Sequence, residues 1–169
     1  MKKYIALLTI WLLIFALAGC GTNGTSILRA PPELTVICGD QQAEAMWGTS
    51  YWWHQQSDGK MVASNYDSSS PEVVKELKEP LLLPSRSSDA KTFEAHMRWE
   101  VAPDVVAVCC GSEEIPVETT VVEDESAAAN EYIVSLKNGA YLYEVIAEWN
   151  RSGLYGGTVR YSFYTEMKG

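Results

Sequence analysis

The sequence reads Thr92-Phe93-Glu94-Ala95-His96-Met97-Arg98-Trp99-Glu100-Val101 where its pattern is clearest. Apolar side chains occupy every second position of this stretch, and polar side chains fill the positions between them. Because successive side chains of a β-strand point to opposite faces, a period of two is typical of a strand with one buried face. The stretch therefore predicts a strand whose apolar side faces a core and whose polar side faces solvent.

Other segments of the chain show the same short alternation or a β-branched run, and turn residues separate them. They are 34–38, 50–55, 60–66, 105–110, 117–122, 131–137, 140–149 and 159–163. In the segment 50–55, the alternation is interpreted with Tyr51 and Trp53 on the inward face and Trp52 and His54 on the outward face. Short strands at intervals of about 8 to 12 residues, with almost no helix, predict an all-β protein built as a single antiparallel sandwich.

Two dipeptides predict tight hairpin turns between these strands. They are Asp58-Gly59 and Asn138-Gly139, and type I′ turns favour such pairs because both central residues need a positive φ. Segment 117–122 is predicted to be an edge strand, since Pro116 precedes it and acidic residues line it.

Four stretches resemble a small immunoglobulin-like module that recurs in lipoproteins and other cell-surface proteins of Gram-positive bacteria. They are 34–39, 48–53, 101–108 and 141–163. The shared features are a Gly-Thr-Tyr-x-Trp pattern, here with Ser50 inserted, a Pro-Asp turn before a Val strand, and an ending Tyr-x-Tyr-Glu-Val-x-Ala-x-Trp followed by Gly-x-x-x-Tyr-x-Phe. The resemblance implies an immunoglobulin-like sandwich and a cell-surface location, and it carries over no catalytic residue.

The amino terminus has the order of a secretory signal peptide. Lys2 and Lys3 give it a positive start, an apolar run extends from Tyr4 to Leu17, and small residues follow. This run is shorter than the roughly 20 residues of a spanning helix, and no positive cluster follows it. The sequence therefore predicts that residues 1–19 are removed from the mature protein.

The four residues Leu17-Ala18-Gly19-Cys20 resemble the lipobox of bacterial lipoproteins. The resemblance implies cleavage before Cys20 and attachment of a diacylglyceryl group to its thiol, and two acyl chains give stable membrane anchoring. The predicted division of the chain is a signal peptide at 1–19, a flexible tether at 20–32 and a sandwich domain at 33–169. The expected location is the extracytoplasmic face of the cell membrane, with the lipid on Cys20 as the anchor.

The charge of the chain excludes some partners. Removing residues 1–19 takes away two lysines and no acid, which leaves 11 basic against 22 acidic residues and a formal charge of −11. Nucleic-acid binding needs a positive surface, so this balance argues against it. The same charge argues against a domain that lies flat on an anionic bilayer.

Three cysteines follow Cys20, and they allow at most one internal disulfide in an extracytoplasmic chain. Cys109 and Cys110 are adjacent and would point to opposite faces of a strand, so they are not expected to bind one metal ion. Cys110 shares its face with the inward valines, and Cys38 is its most suitable partner. The sequence leaves two alternatives: a Cys38–Cys110 bridge between sheets, or two small buried thiols.

Sequence motifs for catalysis are absent from the chain, and we expect neither an enzyme nor a cofactor or metal site. Only two histidines are present, His54 and His96, and both are assigned to solvent-exposed strand faces. The acidic stretch 113–125 lacks the spacing of a calcium loop and is interpreted as a solvated edge. The alternative function is an envelope-acting hydrolase that uses carboxylates the sequence does not single out.

The aromatic residues are the one feature that indicates recognition. Trp52 is the large aromatic on the face assigned to solvent, and Tyr155 lies in a glycine-rich loop, so both are predicted ligand contacts. The other interpretation is that Trp52 is buried, under the stretch 67–84. The sequence thus predicts a membrane-anchored binding or accessory module whose partner is a cell-envelope glycan or a membrane protein.

Overall fold

The computed structural model describes residues 27–68, 70–84, 91–122 and 129–168. The predicted signal peptide and Cys20 lie outside these residues. The strands of the described part are β1 Leu34–Cys38, β2 Gln41–Glu44, β3 Met46–Gln55, β4 Met61–Tyr66, β5 Leu81–Leu83, β6 Thr92–Trp99, β7 Val105–Cys110, β8 Glu113–Ile115, β9 Val117–Val122, β10 Ala129–Lys137, β11 Leu142–Arg151 and β12 Tyr155–Met167. A 3-10 turn at Pro71–Val73 leads into the short helix α1, Val74–Leu77.

The strands form two sheets that pack face to face. The first sheet has the order β2-β1-β6-β10-β9, and the second has the order β4-β3-β12-β11-β7-β8, with β5 parallel to the end of β12. The series β1-β6-β10-β9 against β7-β11-β12 reproduces the four-plus-three strand order of an immunoglobulin-type sandwich. The predicted all-β sandwich is therefore confirmed, and the β3–β4 hairpin extends its second sheet.

The core lies between the inward faces of the two sheets. The alternation along β6 is confirmed, because Phe93, Ala95, Met97 and Trp99 are buried while the residues between them are exposed or half-buried. The second sheet contributes the buried residues Trp52, Tyr143, Val145, Ala147, Trp149, Val159, Tyr161 and Phe163. Full burial of each large apolar side chain contributes about 1.5–3 kcal/mol, so this face-to-face layer is the main source of stability.

A buried tyrosine fixes the connection between β10 and β11. The hydroxyl oxygen of Tyr143 accepts a hydrogen bond from the Lys137 backbone N–H at 2.7 Å. Burial raises the pKa of Tyr143 to about 12, so the hydroxyl stays neutral. This contact has the form of the tyrosine corner of immunoglobulin-type domains, in which a tyrosine near the start of one strand bonds to the backbone upstream.

Both predicted I′ turns differ from the structure. The β3–β4 hairpin does form around Asp58-Gly59, but Gly59 alone has a positive φ, +82°, and its N–H bonds to the Gln56 carbonyl at 2.9 Å. This arrangement is a turn followed by a left-handed glycine, the usual three-residue hairpin connection. Asn138-Gly139 does not close a hairpin at all, because β10 belongs to the first sheet and β11 to the second.

The edge placement of segment 117–122 is confirmed, since β9 ends the first sheet beyond β10. At the other end of the chain, residues 27–32 lie on the sandwich. Pro31 and Pro32 are buried, and the Pro32 carbonyl accepts a hydrogen bond from the Tyr161 hydroxyl at 2.6 Å. The boundary predicted at residue 33 therefore falls within a packed segment, and the last six residues of the predicted tether are held against the domain.

Candidate functional site

The two aromatic residues predicted as ligand contacts are in the core. Trp52 is 0% exposed and Tyr155 is 3% exposed, and their rings stack with centroids 5.8 Å apart. The indole N–H of Trp52 donates to the Leu28 carbonyl at 3.2 Å, which satisfies its one polar atom. The prediction that Trp52 and Tyr155 are exposed ligand contacts was therefore wrong, because both side chains are buried in the core.

The cause of the error is the phase of β3. Ser50 and Trp52 share the buried face, while Tyr51 is 49% exposed and Trp53 is half-buried on the opposite face. In a strand that carries aromatic residues on both faces, alternation gives the period but not which face is inward. The sequence interpretation placed the larger number of aromatics inward, and the structure places them outward.

The outward aromatics line a groove on the outer face of the second sheet. The groove has a volume of about 530 Å³ and is formed by Tyr51, Trp53, Asp104, Val105, Glu148, Trp149, Asn150, Gly157 and Thr158. We call this surface the aromatic groove. Its central row crosses four strands, since Val105 pairs with Glu148, Glu148 with Thr158, and Thr158 with Tyr51.

Two glycines of β12 shape the aromatic side of the groove. A Cβ atom at Gly156 would lie 2.7 Å from Trp53 Cζ2, so the indole packs directly on the backbone there. At Gly157, where φ is +144°, a Cβ would overlap the Tyr51 carbonyl oxygen and approach Trp52 Cα to 2.9 Å. The glycine pair thus lets β3 lie close to β12 and lets the Trp53 ring rest on the sheet, with Tyr51 beside it.

The acidic groups on this face differ in their partners. Asp104 contacts the guanidinium of Arg151 at 2.7 Å and accepts the Asn150 N–H at 2.6 Å. Glu144, on the same strand as Glu148, contacts Arg160 at 2.8 Å. Glu148 is exposed and has no ion-pair partner among the described residues.

The histidines lie apart from the groove. His96 is on the outer face of the first sheet as predicted, half-buried, with Nδ1 at 3.2 Å from Glu131 and Nε2 at 3.4 Å from Glu94. Arg98 donates to Glu131 at 2.8 Å and, with His96, holds the pKa of that carboxyl below its usual value. His54 was predicted outward, but it follows Trp52 on the inward face and is half-buried, for the phase reason given above.

Cys38 and Cys110, the pair of the possible bridge, are not joined by a disulfide among the described residues. Cys38 is buried at the end of β1 in the first sheet, while Cys110 belongs to β7 in the second. Cys110 packs against the core together with Val106, so the assignment of its face agrees with the structure.

In the described ranges, no group of three His, Cys, Asp or Glu residues is arranged to hold a metal ion. Part of the acidic stretch 113–125 lies outside them. No helix in the described part of the chain has the length and apolar character needed to cross a membrane. Comparisons with protein families, with curated proteins and with solved structures gave no match for this chain.

The sequence contained a signal for the aromatic groove. Gly156 and Gly157 interrupt β12 beside the Tyr51-Trp52-Trp53 run, and adjacent glycines in a strand indicate close approach of another backbone or of a flat ring. That signal becomes usable only once β3 is known to pair with β12, because the two segments are about a hundred residues apart in the chain.

Proposed function

We propose that this chain is a lipid-anchored binding module of the extracytoplasmic membrane face, and that its aromatic groove binds a saccharide. The observation that carries the proposal is the pair of outward aromatics, Tyr51 and Trp53, that line the groove. Flat aromatic rings supply large, rigid contact areas, and a pyranose ring can stack on them. Trp53 suits this role because the Gly156 backbone supports its ring from below.

The size and the rim of the groove fit a small polar ligand. Its volume of about 530 Å³ lies within the ~300–1,000 Å³ range of small-molecule clefts. Thr158, Asn150 and Glu148 offer a hydroxyl, an amide and a carboxylate at its rim, which match the hydroxyl groups of a sugar. Aromatic stacking with a few polar groups around it is the usual composition of a specific ligand site.

A hydrolytic role for the same groove has less support. Glycoside hydrolysis requires two carboxyl groups that flank one bond. Of the two carboxylates that line the groove, Asp104 is engaged by Arg151 and by the Asn150 N–H, which leaves Glu148 alone. The groove therefore favours binding over cleavage.

The proposed anchor is a lipid on Cys20, and its support is the lipobox sequence. Since residues 27–32 pack on the domain, only the segment from Cys20 to Ile27 would separate the lipid from the sandwich. Seven extended residues span at most about 25 Å, so the module would act close to the membrane surface.

Titration of the full chain in detergent micelles with two neutral hexasaccharides tests the proposed ligand class. The probes are N-acetylated chitohexaose and cellohexaose, and the readouts are calorimetry and tryptophan fluorescence. We expect saturable binding of at least one probe. Trp53→Ala should weaken it by about 0.5–1.5 kcal/mol, or roughly two- to tenfold in Kd, because the stacking surface is lost.

Trp47→Ala is the matched control, since Trp47 lies on the same strand, is 37% exposed and does not line the groove. It should leave the Kd unchanged. Thermal unfolding of both variants checks that each is folded. Equal Kd values for wild type and a folded Trp53→Ala variant would overturn the assignment of the groove.

A further inference from the structure

We propose that the aromatic groove selects saccharides that carry a positive charge, such as amino sugars with free ammonium groups, and that Glu148 is the selecting residue. This inference rests on the proposed saccharide-binding function and adds the charge of the ligand. It comes from Glu148, a carboxylate that lines the groove together with Tyr51 and Trp53 and has no ion-pair partner among the described residues.

The ion pairs of this face set Glu148 apart. Asp104 and Glu144 are each matched by an arginine at less than 3 Å, while Glu148 has no ion-pair partner within 4 Å among the described residues. A carboxylate without an ion-pair partner can attract a cation from solution, and the excess of acidic residues over the whole chain adds to this attraction.

The neighbours of Glu148 favour an organic cation over a simple metal ion. Thr158 stands beside it on β12, and Tyr51 follows Thr158 on β3. Adjacent strands are about 4.8 Å apart, so the backbones of Glu148 on β11 and Tyr51 on β3 are roughly 10 Å apart, with β12 between them. The ammonium group of one sugar can contact the carboxylate while an adjacent sugar of the same oligosaccharide stacks on the aromatic side, where its own ammonium group can add a cation–π contact.

The same arrangement disfavours anionic saccharides. Arg151, the cation nearest to Asp104 at this end of the sheet, donates to the Asp104 carboxylate and to the Ala102 carbonyl, each at 2.7 Å. Arg160 is held by Glu144. Both arginines are therefore engaged, and an acidic sugar would meet Glu148 with neither of them free to compensate its charge.

A matched pair of oligosaccharides tests the inference on the full chain in detergent. The pair is N-acetylated chitohexaose and its fully deacetylated form, titrated at a mildly acidic pH that keeps the amines protonated. We expect the deacetylated form to bind about three- to thirtyfold tighter, the combined effect of an exposed ion pair and a cation–π contact. Added salt should reduce this preference and should leave the affinity for the neutral form unchanged.

Glu148→Gln should abolish the preference and keep the affinity for the neutral form. Glu144→Gln is the control, because Glu144 lies on the same strand and outside the groove, and it should preserve the preference. A general attraction of the acidic chain for a polycation would be reduced equally by both variants. That result, or equal affinities of the wild type for the two forms, overturns the charge selection, while failure of both saccharides to bind overturns the proposed function itself.

Discussion

Glu131, on the outer face of the first sheet, contacts both Arg98 and His96. Arg98 donates to one carboxylate oxygen of Glu131 through Nε at 2.9 Å and through Nη2 at 2.8 Å. His96 Nδ1 lies 3.2 Å from the other oxygen. Arg98 above all, and His96 with it, hold the pKa of the Glu131 carboxyl below the usual value, and they outweigh the opposing effect of burial on a side chain that is only 13% exposed.

This lowered pKa predicts a pH-dependent effect of Glu131→Gln. A carboxyl whose pKa is lower in the folded state adds stability above its unfolded pKa, near 4.5, and loses that contribution as the pH falls through the folded value. The variant should therefore be less stable than wild type at neutral pH, and the difference in unfolding free energy should shrink below about pH 4.5. Denaturant unfolding across this range measures the difference.

Glu118→Gln serves as the comparison, since Glu118 is an exposed carboxylate on the neighbouring edge strand β9 and has no ion-pair partner in the part of the chain that the structure describes. Surface changes of this kind usually stay within about 0.5 kcal/mol of wild type. A gap between wild type and Glu131→Gln that stays constant from neutral to acid pH would contradict the ionic account.

Single side chains also show where sequence reasoning succeeds. The alternation of β6 fixes the face of each residue, because its apolar and polar positions never mix. The run Tyr51-Trp52-Trp53 has aromatics on both faces, so the sequence alone does not say which face is buried. The buried face is the one on which Trp52 contacts Trp149, Tyr155 and the Leu28 carbonyl. That information is tertiary, and the candidate site was misplaced by one residue for this reason.

At the scale of the strand, Gly156 and Gly157 of β12 allow the close packing of β3 that shapes the groove. Gly157→Ala should destabilise the protein by about 2 kcal/mol or more, because it combines a φ of +144° with overlap of the new Cβ and the β3 backbone. The change should also weaken saccharide binding, since it forces β3 and its aromatics away from β12. Thermal unfolding and the hexasaccharide titration measure the two effects.

Gly153→Ala is the control that distinguishes the cost of a positive φ from the cost of the contact between β12 and β3. Gly153 has a φ of +81° and open space around its Cβ position, so its replacement should cost only the conformational term of about 1 kcal/mol. Binding should be unaffected. Equal losses of stability in the two variants would show that the close approach of β3 to β12 at Gly157 contributes nothing.

The strands themselves were largely predictable, while two of their connections were not. The segments with period-two patterns all overlap strands, because burial of one sheet face imposes that period. The strands β3 and β12 extend well beyond the predicted 50–55 and 159–163, and the short strands β2, β5 and β8 were not predicted. Asn138-Gly139 has the composition of a hairpin turn, yet it links the two sheets, because β10 pairs with β6 and β9 while β11 pairs with β7 and β12. Local turn chemistry cannot specify which sheet receives the next strand.

At the scale of the whole molecule, charge and anchoring act together. The proposed mature chain carries a formal charge of −11, which opposes close adsorption to an anionic bilayer. A lipid at Cys20 would retain the domain at the surface despite this repulsion, and the packing of residues 27–32 would keep it near the membrane. Stable retention needs the insertion of two acyl chains, because one chain holds a protein only marginally.

Cys20→Ser should therefore release the protein from the membrane fraction of cells, because the hydroxyl cannot replace the thiol that receives the lipid. The expected mass of the wild-type mature chain is that of residues 20–169 plus the lipid, and the variant should lack this species. Cys109→Ser is the control, since Cys109 lies on the outer side of β7 and should leave the anchoring unchanged. A wild-type chain that retains residues 1–19, or a Cys20→Ser variant that stays in the membrane fraction, would show that the domain is held at the membrane by something other than this sulfur.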